Sequence, residues 1–284
     1  MAFIMSAPIE HGLYIVATPI GNLGDLSRRA IEILGIADII LVEDSRVTGK
    51  LLNHIGKKGK MVVYNDHKGE QERQEILASL RCKIVALVSD AGTPLISDPG
   101  YKLVRDARAQ GAYVTTVPGP SAVIAAMTLS GLPSDRFLFE GFLPSKSKAR
   151  GEALAELKPI KATLIFYENG SRLGAMLADA LDQLGDRPAA VIREITKKFE
   201  ETVTGSLKEL ADRYADEKPK GEIVVVVGPP GAAEPTSETD IEEALREALQ
   251  RLPAAKAAGE VSRIYGADRK ALYELANRWK TEGH

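Results

Sequence analysis

The chain has 284 residues, 44% of them hydrophobic and 27% charged, with a formal net charge of −2. No apolar run nears the ~20 residues that a membrane span needs, and the first twelve residues lack the basic start of a secretory signal. The single cysteine, Cys82, allows no internal disulfide, and no Cys/His cluster suggests zinc. A cytoplasmic protein large enough for two domains is expected, without membrane or metal, and with Cys82 as an inert, partly buried thiol. Residues 13–17 are an apolar run ending at Thr18-Pro19, a buried strand by this reading. Asp25 is placed to cap a helix beginning at Leu26, where Leu26, Ala30, Ile33 and Leu34 fall at helical spacing. Strand 38–42 ends at Glu43-Asp44-Ser45-Arg46, and helix 47–55 stops at Gly56. Strand 61–64 leads to Asn65-Asp66-His67, then helix 71–80. The strongly apolar strand 84–88 ends at Ser89-Asp90, helix 103–110 stops at Gly111, and strand 113–117 runs through Pro118-Gly119-Pro120 into helix 121–129.

Alternating strands and helices imply a parallel sheet covered on both faces, with ligands bound beyond the carboxyl ends of the strands. The chemically rich segments all fall at those ends. Gly131-Leu132-Pro133-Ser134 breaks the pattern and divides residues 1–130 from residues 131–230. The second part offers strands 137–142, 163–167, 189–194, 200–204 and 222–227 with a helix over 172–184, an α+β mixture with antiparallel content. Pro229-Pro230-Gly231 closes it. An acidic helix, 240–252, and two short helices make a helical extension over residues 236–284.

Ser89 to Tyr101, SDAGTPLISDPGY, concentrates two Asp, two Gly and two Pro directly after the most apolar strand, which suits backbone recognition of a small polar cofactor. Pro19-Ile20-Gly21-Asn22-Leu23-Gly24-Asp25 is a similar strand-loop-helix turn, though not GxGxxG. No GxxxxGK[ST] exists, which excludes a P-loop. Small residues Ser121 and Ala122 open the helix after Pro118 and permit close ligand contact. Basic side chains gather at Lys146, Lys148 and Arg150, at Arg172, and in the tail at Arg269 and Lys270. The tail reads as helix-turn-helix, with Gly266 in the turn.

In order, LYIVATPIGNLGDLSRRA, VEDSRVTGKLL, LVSDAGTPLISDPGYKLV, VPGPSAVIAA, GLPSDRFLFEGFLPSKSKAR, TLIFYE and REITKKFEE resemble the tetrapyrrole-methylase superfamily, and within it the bacterial 16S ribosomal RNA cytidine 2'-O-methyltransferases. The resemblance covers Leu13 to about Val227 and continues more weakly to the C-terminus. It implies two α/β domains with S-adenosylmethionine in the cleft between them. The implied acceptor is a cytidine ribose of 16S rRNA within the 30S subunit, near the decoding centre, and the implied assembly a homodimer. It places the cofactor against Pro19, Val88, Ser89, Asp90, Thr93, Ser121, Ala122, Tyr167 and Ile195. The chain departs from the family pattern at Ser171, where a His usually precedes the Arg, so no base is expected there. Arg172 is expected to hold a phosphate.

A ribose hydroxyl is a weak nucleophile, and a carboxylate or cation near it assists the loss of its proton. Glu43, Asp44, Arg46 and Glu194 are the candidates for that work, with Asp66 and His67 behind them. Two other readings remain open at this point: a methylase of a precorrin-type tetrapyrrole, and a non-catalytic ribosome-assembly factor that binds RNA. The basic segments at Lys146, Lys148 and Arg150 and in the tail favour RNA over a small macrocycle.

Overall fold

The computed structural model describes residues 9–66, 69–231, 238–265 and 267–281. His67 and Gly266 lie outside them. The first sheet contains β1 (Gly12–Val16), β2 (Ile39–Val42), β3 (Met61–Val63), β4 (Ile84–Leu87) and β5 (Val114–Val117). Their order is β3-β2-β4-β1-β5, and every pairing is parallel. Alternate strand residues serve opposite faces. Tyr14, Val16, Ile40 and Ala86 pack against α1 (Arg28–Ile36) and α2 (Ser45–His54). Leu13, Leu41, Val85 and Leu87 pack against α3 (Glu70–Ser79) and α4 (Tyr101–Ala109). Both faces of the central strands β1, β2 and β4 are dry, which is why these three read as unbroken apolar runs.

The second sheet contains β6 (Phe137–Phe142), β7 (Thr163–Asn169), β8 (Pro188–Arg193), β9 (Glu201–Ser206) and β10 (Glu222–Val227), in the order β6-β7-β10-β8-β9. Only β6 and β7 run parallel; the other three pairings are antiparallel. One face carries α6 (Ser147–Leu157), α7 (Gly170–Leu184) and α8 (Leu207–Arg213). The other is covered by α5 (Ala122–Ser130), whose Val123, Ala126 and Met127 meet Ile165, Ile192, Val224 and Val226. The last helix of the first half therefore lies on the second sheet, and the two halves share a core. Three C-terminal helices, α9 (Glu238–Leu249), α10 (Ala254–Tyr265) and α11 (Arg269–Thr281), bury Leu245, Ala257, Val261 and Leu272 among themselves.

Three details differ from the sequence reading. The first helix begins at Arg28, because Ser27 Oγ accepts the Ala30 N–H at 3.1 Å, while Leu23 to Asp25 form a separate 3-10 turn capped by Asn22. Helices α6 and α8 were not expected. In α6 the charged surface residues obscure a thin apolar stripe of Leu154 and Leu157. Cys82 is exposed, since it stands in the turn before β4 rather than in the strand.

Candidate active site

The carboxyl ends of the first sheet meet the second sheet across a cavity of about 310 Å³. Glu43 after β2, Asp90 to Thr93 and Ile96 to Asp98 after β4, and Ser121 with Ala122 after β5 form one wall. Phe142, Tyr167, Ile195 and the start of β10 at Glu222 to Val224 form the other.

Hydrogen bonds tie the loops of the first wall into one unit. Thr18 and Gly92 exchange both backbone bonds, at 2.9 and 3.1 Å, and Thr18 Oγ1 donates to the Ser89 carbonyl at 3.2 Å. Thr93 Oγ1 donates to the Pro120 carbonyl at 3.0 Å, joining the loops after β4 and β5. The Asp44 N–H donates to Asp90 Oδ1 at 3.1 Å, and the Gly100 N–H to Asp66 Oδ2 at 3.0 Å. Backbone strain gathers at the two segments that face the cavity. Leu95 and Ser97 in one, and Glu194 and Thr196 in the other, adopt positive φ of 52–76°. Such conformations cost on the order of 1–3 kcal/mol each and persist where tight surroundings impose them. The second of them also touches the loop after β1: the Asn22 N–H donates to Thr196 Oγ1 at 3.1 Å, and a Cβ on Gly21 would lie 2.5 Å from Lys197 Cγ.

The cavity is acidic. Among the described residues its lining includes no Lys, Arg or His, whereas Glu43, Asp90 and Asp98 face it with no cation in the lining to pair with. Burial raises the Glu43 and Asp90 carboxyls above their ordinary range; Asp90 adds to the rise at Glu43, and Asp44 to that at Asp90. Asp98 is pushed up to about 6 by burial and by the charges of Glu43 and Asp90, against a hydrogen bond from Ser89. Burial, then the charge of Asp98, lifts Tyr167 to about 12. Glycine and small side chains at Gly92, Ser121 and Ala122 leave room for a flat polar ligand, and unpaired carboxylates favour a cationic one.

Of the residues expected to touch a cofactor, Asp90, Thr93, Ser121, Ala122, Tyr167 and Ile195 line this cavity. Val88 and Ser89 are buried behind the lining, where Ser89 supports the loop, and Pro19 lies outside the lining while its neighbour Ile20 lies in it. Gly21 makes room for the strained segment of the second half rather than for a ligand.

The acceptor-side candidates separate. Glu43 faces the cavity. Asp44 caps α2, accepting the Arg46 N–H at 2.8 Å, and its pairing with the Arg46 guanidinium at 2.5 Å holds it down at about 2. A carboxylate so low is a poor base. Glu194 is turned away, accepting from the Glu222 N–H and Lys197 Nζ, each at 3.0 Å, which lowers its carboxyl. Asp98 was missing from the candidates; its signal was the second Ser-Asp of SDAGTPLISDPG.

The basic residues divide in the same way. Lys146 and Lys148 are exposed, as are Arg269 and Lys270. Arg150 is buried and bonded to Asp179 at 2.7 Å, because α6 turns it inward. Arg172 pairs with buried Glu168 at 3.1 Å and donates to the Leu143 carbonyl at 2.7 Å. Both were expected on RNA, and both hold the protein's own chain. Ser171 is exposed on α7. Trp279 packs in the C-terminal cluster under Arg246, at 4.5 Å.

Comparison with known proteins matches residues 12–211 to the tetrapyrrole (corrin/porphyrin) methylases and residues 235–280 to the RsmI C-terminal HTH domain. The chain is 54% identical to the ribosomal RNA small subunit methyltransferase I of Erythrobacter litoralis, over 96% of this chain and 97% of that one. It is 48% identical to the protein of the same description from Mesorhizobium japonicum, over 95% and 92%. Uroporphyrin-III C-methyltransferase of Thermus thermophilus, solved in complex with S-adenosylhomocysteine, shares the fold with a TM-score of 0.52. It is 23% identical, over 76% of this chain and 97% of that one.

Proposed function

This chain belongs to the tetrapyrrole methylases and, among them, to the ribosomal RNA small subunit methyltransferase I family, and from that membership we propose that it methylates the 2'-hydroxyl of a cytidine in 16S rRNA within the 30S subunit. The observation that carries the reading is the acidic cavity at the strand ends, whose lining residue Phe142 is followed in the chain by the exposed Lys146 and Lys148. The donor is S-adenosylmethionine, which supplies an activated methyl group on a cationic sulfonium. The fold neighbour's complex with S-adenosylhomocysteine supports that choice, and so does the fit of a cation to Glu43 and Asp90, which have no cation in the lining to pair with.

In this reading the first wall holds the donor through Asp90, Thr93, Ser121 and Ala122, with Tyr167 and Ile195 closing from the second. Pro19, Val88 and Ser89 back the wall without touching the ligand. Asp98 accepts the proton of the ribose hydroxyl. Its carboxyl, raised to about 6, lies nearer neutrality than an ordinary aspartate, which suits a general base. Glu43 stands beside it and keeps it basic. Lys146, Lys148, Arg269 and Lys270 contact phosphates of the RNA. Two chains assemble as a homodimer through α5, which is apolar on nearly every side and exposes Ile124 and Leu129. The place of action is the cytoplasm, and no helix among the described residues is long and apolar enough to cross a membrane.

The test incubates the purified chain with labelled S-adenosylmethionine and 30S subunits from cells lacking the modification, then digests the RNA to nucleosides. Label in 2'-O-methylcytidine is expected. Label on a base, or cofactor binding without any labelled RNA, overturns the reading.

A further inference from the structure

Strand β6 is irregular at the point where it reaches the cavity. Its register against β7 shifts between Phe139 and Gly141, and Gly141 has a φ of 79°. In a regular strand, residues three apart point to opposite faces. The shift cancels that parity. Phe139 and Phe142 both meet the ring of Tyr167, with centroids 4.8 and 5.5 Å away and planes at 66° and 61°. Bulges beside active sites commonly re-aim a side chain in this way. A Cβ on Gly141 would lie 3.3 Å from Ser97 Oγ, so glycine also lets β6 close onto the loop of the other wall.

Phe142 thereby lines the mouth of the cavity while 55% exposed. Ile96, from the opposite wall, also lines it and is also exposed. Large apolar side chains left in water at the rim of a site mark a place for an apolar surface of a ligand. The chain behind Phe142 is fixed. Arg172 donates to the Leu143 carbonyl and Arg150 to the Ser145 carbonyl, at 2.7 and 3.2 Å, and each arginine is itself held by a carboxylate, Glu168 or Asp179. Immediately beyond this pinned segment come the exposed Lys146 and Lys148.

We propose that Phe142 is the platform on which the base of the acceptor nucleotide stacks, with Ile96 across the mouth, and that Arg172 and Arg150 are positioning residues that keep the platform in place. The proposal rests on the acceptor being a ribose of RNA. An unpaired RNA base is characteristically held on an aromatic face. The cavity's carboxylates repel phosphate, so the sugar enters, the base stays at the apolar mouth and the backbone turns outward towards the lysines.

The experiment compares wild type with Phe142→Ala, Phe142→Tyr and Phe142→Trp, each as the full chain. It measures the Kd for S-adenosylmethionine by calorimetry and kcat and KM for unmodified 30S subunits at saturating cofactor. For Phe142→Ala the KM is expected to rise about tenfold or more, with the cofactor Kd within about twofold of wild type. The aromatic replacements are expected to stay near wild type. A raised cofactor Kd with unchanged KM puts the ring against the donor and overturns the proposal. Unchanged values for both reduce the ring to a cover for Tyr167 and also overturn it. If wild type itself labels no ribose, the acceptor reading has failed and the platform falls with it; that failure is visible in wild type, whereas failure of the platform alone appears only in the variants.

Discussion

The two walls of the cavity are built from opposite kinds of sheet, and they do different work. The first wall hangs from parallel strands whose ends all point one way, so its loops meet side by side and bond to one another through Thr18, Gly92, Thr93 and Asp90. Of its carboxylates, Glu43, Asp90 and Asp98 face the cavity with no cation in the lining, while Asp44 and Asp66 hold chain. The second wall comes from a mostly antiparallel sheet, which delivers only some strand ends to the site. There the polar groups are used to hold chain: Glu194 on Glu222 and Lys197, Glu168 on Arg172, Asp179 on Arg150. A charged residue at a strand end is therefore a brace in the second wall, and in the first a ligand candidate only where it lines the cavity, as Glu43 does and Asp44 and Asp66 do not.

The largest expected effect tests the brace. Arg150→Ala removes a buried guanidinium and leaves the Asp179 carboxylate only the Ser147 hydroxyl, and should cost about 3 kcal/mol in chemical denaturation, at the low end for a broken buried pair. Lys148→Ala, only two residues away, should leave stability unchanged. An equal loss from both variants would erase the distinction.

Asp98→Asn tests the free carboxylates. The rate is expected to fall about 100-fold, with cofactor affinity little altered. Wild-type activity should rise with pH through about 6 as Asp98 ionises, and the variant should lose that limb. Stability moves the opposite way. A carboxyl raised from 3.8 to about 6 on folding makes the folded state less stable as pH rises through that interval. Removing it should stabilise the chain at pH 8 and not at pH 4, by about 1 kcal/mol once solvent screening of this partly exposed group is allowed for. Thermal melts at the two pH values decide the sign.

Gly21→Ala tests the contact between the walls. The added Cβ meets Lys197, Thr196 and the Ile195 carbonyl, and the expected destabilisation is about 1 kcal/mol, with a weaker affinity for the cofactor. A neutral result would mean that the strained segment yields easily.

The smallest effect is Lys148→Ala in subunit binding. Loss of one phosphate contact should weaken binding a few-fold and reduce the salt slope by about 1. No change in slope would move the RNA path away from α6.

Much of the first wall was legible in the sequence. Apolar runs ending in Thr18-Pro19, Glu43-Asp44, Ser89-Asp90 and Pro118-Gly119-Pro120 placed four strand ends together, because a parallel sheet aligns them by its topology. The second wall was less so. The helix α6 lay hidden under a charged sequence, so Arg150 and Lys148 looked alike until one turned inward and the other out. Arg172 suggested a phosphate contact by its type and place, yet Glu168 and the Leu143 carbonyl already occupy it.

By itself the sequence determined the strand-helix alternation, the loops of the first wall and the family, because these depend on local periodicity and on residues adjacent in the chain. Tertiary structure decided which charges are free. Arg150 is neutralised by Asp179, 29 residues away, while Arg172 and Glu194 have partners close in the chain, Glu168 and Lys197, whose engagement only the fold shows. It also decided where Phe142 points, since a one-residue slip in a strand reverses every side chain beyond it and only the pairing with β7 shows that slip.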